Sequence, residues 1–337
     1  MKVKWGIIGL GQMAQCFAAA NENVTHSDLL AVASLSKNKL KDFGKRHGIH
    51  PKYSFESYSD LMKCEEVDAI YVALTNNLHF EVMMQGIKHK KHILVEKPAT
   101  LNAHEMMMIH NSMDDSSVLL SEAFAYLHHP VTKHFLDRVQ SGSIGRPTGL
   151  NTIFGCKILS DKPNRLKSLF SKEVRHFAPR LGGGCILDLG CYLTSISAIL
   201  ARIACEEDAL VPEFQKSTLH YGAKKVEVDA YGELSFNNVF STCMRASFIT
   251  DLGQNTTITG TEGEITIENT WSCDQGGFFQ NGDFQSVENL IYDNPYSYQI
   301  HNFCDWVTEN KRMPQFPSHT VDDTLFNMQI LDAWKSR

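Results

Sequence analysis

The chain carries no excess of positive charge, no Cys-x-x-Cys pair, no internal repeat and no low-complexity segment. With 32 Lys and Arg against 38 Asp and Glu, its net charge of −6 has the wrong sign for a protein whose main partner is nucleic acid or an anionic membrane. No apolar run approaches the roughly 18–20 residues that cross a bilayer. The apolar start, Met1 to Gly11, is too short for a signal peptide and runs into Gly9 and Gly11 without a cleavage-like tail. The nine cysteines, at 16, 64, 156, 185, 191, 205, 243, 273 and 304, are odd in number and unpaired by spacing. They read as reduced thiols of a cytoplasmic protein, not as a disulfide framework. None of the 15 histidines shows convincing ligand spacing, and His104-Glu105 has Met108 where a zinc-protease helix needs its second histidine, so no metal is expected.

What is present is ordinary for a globular protein, 43% hydrophobic and 21% charged, which excludes disorder and fibrous repeats. At 337 residues the chain exceeds twice the usual domain length of about 150, so two domains are expected, 1–123 and 124–337. In the first, short apolar runs at Val3–Ile8, Leu29–Ser34, Val67–Leu74, His92–Val95 and Val118–Leu120 alternate with helical patterns at Gln12–Asn21, Leu40–His47, Leu78–His89 and Ala103–Met113. Continuous apolar strands are covered on both faces, the habit of a doubly wound parallel α/β sheet. After Pro130 the rhythm changes. One helical stretch, Val131–Val139, precedes β-rich runs at Leu150–Phe154, Val226–Phe236, Val239–Phe248, Asn255–Ile258 and Glu264–Glu268, separated by turns such as Asn237-Asn238 and Glu262-Gly263. The second domain reads as α+β with a large, open, mostly antiparallel sheet and helices near Leu189–Ile203, Tyr298–Glu309 and Val321–Trp334.

Gly9-Leu10-Gly11-Gln12-Met13-Ala14 fits G-x-G-x-x-A between the first strand and the first helix. Gly9 would make the tight turn, Gly11 would let a pyrophosphate approach the backbone, and Ala14 would let helix pack on strand. The helix N-terminus then presents free N–H groups to the anion. A dinucleotide site that takes NAD carries an Asp or Glu about 20 residues on, at the end of the second strand. Here the chain reads Ser34-Leu35-Ser36-Lys37-Asn38-Lys39, with no carboxylate. Hydroxyls at Ser34 and Ser36 with Lys39 suit a 2′-phosphate, so NADP is preferred and NAD stays open; the bland alternative is a solvated helix start with Lys37, Lys39 and Lys41.

Two further segments stand out. Glu96-Lys97-Pro98 ends the fourth apolar strand, on the edge where such sheets bind ligands. Gly182-Gly183-Gly184 leads into Asp188-Leu189-Gly190-Cys191-Tyr192, where a helix would set Asp188 and Tyr192 on one face. Alone, each has a plain reading: Tyr192 as a core tyrosine, Lys97 as a surface lysine, Asp188 as a helix cap.

Together, G-x-G-x-x-A, Glu-Lys-Pro and D-x-G-x-Y closely resemble the glucose–fructose oxidoreductase/inositol dehydrogenase (Gfo/Idh/MocA) family, over nearly the whole chain. Leu74 and Thr75-Asn76-Asn77-Leu78-His79 look like that family's loop beside the nicotinamide ribose, and Thr259 to Gly263 like its turn in the C-terminal sheet. The resemblance implies NAD(P)-linked oxidation of a hydroxyl or reduction of a carbonyl. It puts Gly9, Gly11, Gln12, Met13, Ala14, Ser34, Ser36, Lys39, Leu74, Thr75, Asn76, His79, Glu96 and Lys97 around the cofactor, and Lys97, Asp188 and Tyr192 at the reacting group. Tyr at 192 is similar to the subgroup of dimeric dihydrodiol dehydrogenase and the NADP-linked xylose dehydrogenases. A phenol ordinarily titrates near 10, too high for an efficient base at neutral pH, and a nearby lysine cation would favour the phenolate.

The expected substrate is a sugar or cyclic polyol, contacted by Tyr126, His129, Phe154 and Arg165, assigned from position relative to the motifs. The His128-His129-Pro130 variant is similar to nucleotide-sugar 3-ketoreductases, which keeps that alternative. The stretch Leu159–Leu181, with Lys172, Arg175, His176 and Arg180, departs from the subgroup and reads as a solvated insertion or an anion-binding loop. A non-catalytic NADP-binding sensor or assembly protein is the rival of another class. A homodimer or homotetramer through the C-terminal sheet is implied, since relatives pair there and its open face needs cover.

Overall fold

The computed structural model describes residues 2–113, 116–158, 175–206, 209–222 and 224–337. They form two units: Met1–His128 with Ile291–Leu325, and His129–Leu290 with Phe326–Arg337.

The first unit is built on β1 (Val3–Ile8), α1 (Gln12–Asn21), β2 (Ser27–Ala33), α2 (Lys37–His47), β3 (Ser54–Phe55), α3 (Tyr58–Met62), β4 (Ala69–Val72), α4 (His79–Lys88), β5 (His92–Val95), α5 (Ala103–Met113) and β6 (Leu120–Glu122). The six strands are parallel in the order β3-β2-β1-β4-β5-β6. That order reverses direction between β1 and β4, and ligands of such sheets bind outside the carboxyl ends of the strands at this switch. Every residue of β4 is buried, as are all of β1 except Lys4 (and all of β5 after His92), so both sheet faces are covered and the strands read as unbroken apolar runs. The bounds of β1, α1, β5 and α5 are those read from the sequence. The two-residue β3 and the five-residue α3 are too short to show a period, and were not read.

The second unit opens with α6 (Pro130–Gln140) and β7 (Pro147–Gly155). A single π-type turn at Ile186–Gly190 then leads into α7 (Cys191–Cys205). Seven strands follow: β8 (Pro212–Tyr221), β9 (Glu227–Phe236), β10 (Phe240–Ser247), β11 (Thr256–Gly260), β12 (Glu264–Ile267), β13 (Gly277–Gln280) and β14 (Asp283–Ser286). Their sheet runs β14-β13-β12-β11-β7-β10-β9-β8, antiparallel at every neighbour except the parallel pair β7–β10. The mostly antiparallel expectation is borne out. Asn237 and Asn238 both take positive φ, 52° and 57°, the backbone of the two-residue hairpin between β9 and β10. β8, β13 and β14 were not read from the sequence. β8 is an edge strand with a single buried residue, so it shows no apolar alternation.

Contrary to the expectation of no long apolar run, Pro179–Cys205 is long and apolar enough to cross a membrane, and its most apolar part is almost wholly buried inside the structure, as a core helix of a globular unit is. The outward positions of β9 and β10 mix polar with apolar side chains: Tyr231 and Glu233 stand opposite Arg245 and Cys243, and Arg245 pairs with Asp229 at 3.0 Å.

The chain then returns. α8 (Pro295–Thr308) lies within the first unit, although linear reading placed it with the second domain. It packs on α1 and on β1, where it carries Phe303 onto Trp5, ring centroids 5.0 Å apart, in a core that also stacks Phe17 on Tyr71. The final helix, α9 (Val321–Lys335), begins in the first unit's segment and ends in the second's.

Candidate active site

In the first unit the glycine-rich turn behaves as its chemistry requires. Gly9 takes φ +92°, and a Cβ there would meet the Ala73 carbonyl oxygen at 2.5 Å, so only glycine fits. Gly11 is different: a Cβ would meet nothing within 4 Å. Protein packing does not ask for a glycine at 11, whereas a ligand lying against the backbone does. Gly11 is also the N-cap of α1, with no side-chain cap and no acid in the first turn, so the N–H groups of Gln12 and Met13 are offered to an outside anion. Ala14 is fully buried and lets α1 approach the sheet. These residues fit a dinucleotide pyrophosphate.

At the end of β2 the structure divides the expected 2′-phosphate contacts. Ser34 is buried and its Oγ accepts from Ser36 N at 3.2 Å; Ser36 Oγ accepts from Lys39 N at 3.4 Å as the cap of α2. Lys37 pairs with Glu56, while Lys39 is exposed. Leu35, between the two serines, is 72% exposed and was not singled out from sequence.

The ends of β4 and β5 are tied together from behind. His79 is fully buried, its Nδ1 3.0 Å from the Pro98 carbonyl and its Nε2 3.2 Å from the Leu74 carbonyl. It therefore joins the Leu74–Thr75–Asn76 turn to the Lys97-Pro98 turn, whose peptide bond is cis. Asn76 is also buried, and Thr75 donates to Asn77 Oδ1 at 2.8 Å. Glu96 accepts from the Tyr71 hydroxyl, while Lys97 is half-buried. Glu122, at the end of β6, accepts from Ala99 N at 2.9 Å with its other oxygen 3.9 Å from His319 Nδ1. Burial raises its carboxyl to about 8, against the downward pull of the Ala99 N–H, the Thr324 hydroxyl and the Lys97 charge. Glu122 was not singled out from sequence; its signal was the strand end itself.

In the second unit, Asp188 lies inside the π-type turn and is not a helix cap. The expectation of a regular helix through Asp188 and Tyr192 is thus corrected: the turn inserts a wider loop before α7 begins at Cys191. Gly184, at φ +118°, admits this entry because a Cβ would meet Glu227 Oε2 at 2.2 Å. Asp188 is flanked by two basic side chains, Arg175 Nη2 at 3.5 Å and His176 Nε2 at 3.6 Å. Both come from the stretch read as an insertion, which on this side supplies partners to Asp188. Tyr192 sits in an aromatic cluster, 5.5 Å from Phe154 and 5.3 Å from Trp271, centroid to centroid, with Phe154 and Trp271 stacked at 27°. Trp271 carried no sequence signal, because it lies in an irregular turn after β12.

Of the expected substrate contacts, Phe154 meets Tyr192. Tyr126 is 1% exposed and packs edge-on to Phe124, so its place is the core. His129 is 4% exposed and caps α6, accepting from Val131 N through Nδ1. Burial lowers its imidazole to about 4, a neutral cap. Arg165 and Lys172 lie outside the described residues.

A parallel sheet in this strand order, with an open glycine turn over an uncapped helix N-terminus, defines a dinucleotide-dependent enzyme of the Rossmann class. Residues 3–124 match the model of the oxidoreductase family with an NAD-binding Rossmann fold, and residues 133–266 match the GFO/IDH/MocA C-terminal domain. The chain belongs to the Gfo/Idh/MocA oxidoreductase family, as its three motifs implied, and is an NAD(P)-dependent oxidoreductase acting on CH–OH groups. It is 26% identical over 275 residues to trans-1,2-dihydrobenzene-1,2-diol dehydrogenase of Xenopus tropicalis, spanning 81% of this chain and 77% of the relative. It is 27% identical over 284 residues to D-xylose 1-dehydrogenase (NADP(+)) of Hypocrea jecorina, spanning 79% and 72%. Its fold matches a 3-ketoreductase from Actinomadura kijaniata, solved with NADP and TDP-benzene, at a TM-score of 0.82 and 21% identity over 100% of this chain and 98% of the other.

Proposed function

We propose that this protein transfers a hydride between NADP and a hydroxyl or carbonyl of a sugar or cyclic polyol, with Tyr192 handling the hydroxyl proton and Lys97 supplying positive charge. The observation that carries the reading is Tyr192 itself, a phenol set among Phe154 and Trp271 one turn beyond Asp188. Aromatic faces suit the C–H surface of a cyclic polyol, and the phenol oxygen can take and return a proton. When bound, the dinucleotide supplies the hydride acceptor or donor at C4 of its nicotinamide. Gly11, Gln12 and Met13 would hold its pyrophosphate, Ser34, Ser36 and Lys39 its 2′-phosphate, and Thr75, Asn76 and Glu96 would border its ribose. Lys97 stabilises oxyanion character on the reacting oxygen, and Asp188, held by Arg175 and His176, orients the hydroxyl. NADP over NAD is supported by the missing carboxylate after β2 and by the relative named for NADP(+).

The nucleotide-sugar alternative stays open, and among the described residues of the basic stretch Arg175 and His176 lie against Asp188. A cytoplasmic location, with all nine cysteines as free thiols, and pairing of two or four copies through the second-unit sheet belong to the same proposal. Titration with NADPH and NADH, read by quenching of tryptophan fluorescence, tests it first, followed by a screen of pyranoses, dihydrodiols and nucleotide keto-sugars. NADPH binding tighter than NADH binding, with turnover on a pyranose or dihydrodiol, is the expected result. Binding of neither dinucleotide refutes the proposal.

A further inference from the structure

His26 lies in the turn between α1 and β2, and its carbonyl accepts from Val3 N at 3.0 Å, which anchors that turn to the start of β1. His301 and Asp305 stand four apart on α8, on one helix face. The Asp305 carboxylate reaches both rings: Oδ1 is 3.0 Å from His26 Nε2, and Oδ2 is 3.2 Å from His301 Nε2. One donor atom from each residue lies within 4.8 Å of the others. The two imidazoles are perpendicular, 88° apart with centroids at 4.7 Å, so their nitrogens approach the carboxylate from different directions.

We infer that these three residues form a divalent-metal site of the zinc type. Zinc takes imidazole nitrogen and carboxylate oxygen at roughly 2.0–2.2 Å in a tetrahedral array, which sets neighbouring donors about 3.3 Å apart. The two nitrogen–oxygen separations are close to that spacing, each to a different carboxylate oxygen, and His26 Nε2, also 3.3 Å from the His301 carbonyl oxygen, would exchange that contact for the ion. Ligating histidines commonly hold their second ring nitrogen in a hydrogen bond, which fixes ring orientation and tautomer. His301 has that support: its Nδ1 lies 2.8 Å from the Tyr292 hydroxyl, and Tyr292 is itself packed edge-on to Tyr298 at 5.0 Å. The side chains are 24% (His26), 33% (His301) and 45% (Asp305) exposed, open enough for an ion to enter and for water to fill the fourth position.

The placement gives the site a task. His26 belongs to the contiguous nucleotide-binding chain, whereas His301 and Asp305 belong to the segment Ile291–Leu325 that rejoins it from far along the sequence. A metal there would staple the returning helix to the α1–β2 turn. Spacing between histidines along the chain could not reveal it, because the helical pair is His–Asp and the third donor is remote.

The test uses the full-length protein treated with EDTA and titrated with ZnCl2 by calorimetry, then with CoCl2 by visible absorption. The expected result is one saturable zinc per chain, cobalt d–d bands without a thiolate charge-transfer band, and a rise in Tm of about 3 °C or more at a hundredfold excess over Kd. Asp305→Asn, nearly isosteric, and His301→Ala should each abolish binding while retaining the far-ultraviolet spectrum. Tyr292→Phe should weaken it by about tenfold or more. No saturable binding, binding that survives both Asp305→Asn and His301→Ala, or a thiolate band placing the ion at the cysteines would overturn the inference.

Discussion

The two units present their chemistry in contrasting ways. In the first, the residues around Lys97 are held from behind by buried polar groups: His79 spans two turns, Tyr71 bonds Glu96, and Glu122 holds the Ala99 N–H. Each of those supports is nearly solvent-free, so the strand ends form a fixed frame. In the second, Asp188 stands in a π-type turn and is met by Arg175 and His176 at 3.5 and 3.6 Å, while Tyr192 rests beside the rings of Phe154 and Trp271. The contrast teaches that the strand ends of the first unit are fixed by buried hydrogen bonds, whereas the proposed proton carrier of the second unit is set among aromatic rings. π-type turns are uncommon and recur at functional sites, in keeping with that division.

The largest effect expected is at Tyr192. Tyr192→Phe should keep NADPH affinity and lower turnover by about two orders of magnitude or more, read as kcat with a saturating sugar substrate. Unchanged turnover would transfer the proton role to Lys97 and erase the contrast.

The paired glycines sharpen the first unit's side. Gly9→Ala, forced against the Ala73 carbonyl at positive φ, should cost about 1–3 kcal/mol in urea unfolding. Gly11→Ala, with nothing to meet, should stay within about 0.5 kcal/mol yet weaken NADPH binding. If both variants lost stability alike, the open space at Gly11 would be protein packing after all.

Glu122 tests whether the frame is held by an uncharged acid. Its folded value of about 8 lies above the ordinary 4.5, so the folded state holds the proton between those limits and the unfolded state does not. Its contribution is therefore full below pH 4.5 and is lost as pH rises through 8, at no more than about 1.4 kcal/mol per unit. Glu122→Gln should flatten that decline in unfolding free energy measured at pH 5, 6.5 and 8. On the acid side His128, which burial lowers to about 3, acts with the opposite sign: its contribution is whole above pH 6.5 and fades as pH falls towards 3.

The smallest effect concerns Ser36. Ser36→Ala removes the α2 cap and should cost about 1 kcal/mol in stability. A parallel loss of preference for NADPH over NADH would show that the same hydroxyl also meets the phosphate; no change in preference would leave it a cap alone.

Much of the first unit was legible because its signals are local. The G-x-G-x-x-A turn, the bounds of β1, α1, β5 and α5, and the family motifs each lie within a dozen residues, where apolar periodicity and glycine geometry act directly. The edge strands β8, β13 and β14 were not legible, since exposed or very short strands need no apolar alternation. The burial of Tyr126 and His129 was not legible either, because position after a motif does not reveal it.

Motif chemistry along the chain determined the family, the dinucleotide turn and the candidate trio Lys97, Asp188 and Tyr192. Only the tertiary structure decided which remote residues surround them. Arg175 and His176 at Asp188, Trp271 beside Tyr192, the return of α8 to the first unit, and the meeting of His26 with His301 and Asp305 all depend on surfaces brought together by packing. Short-range periodicity records which side of an element is buried, but it carries no record of what that side is buried against.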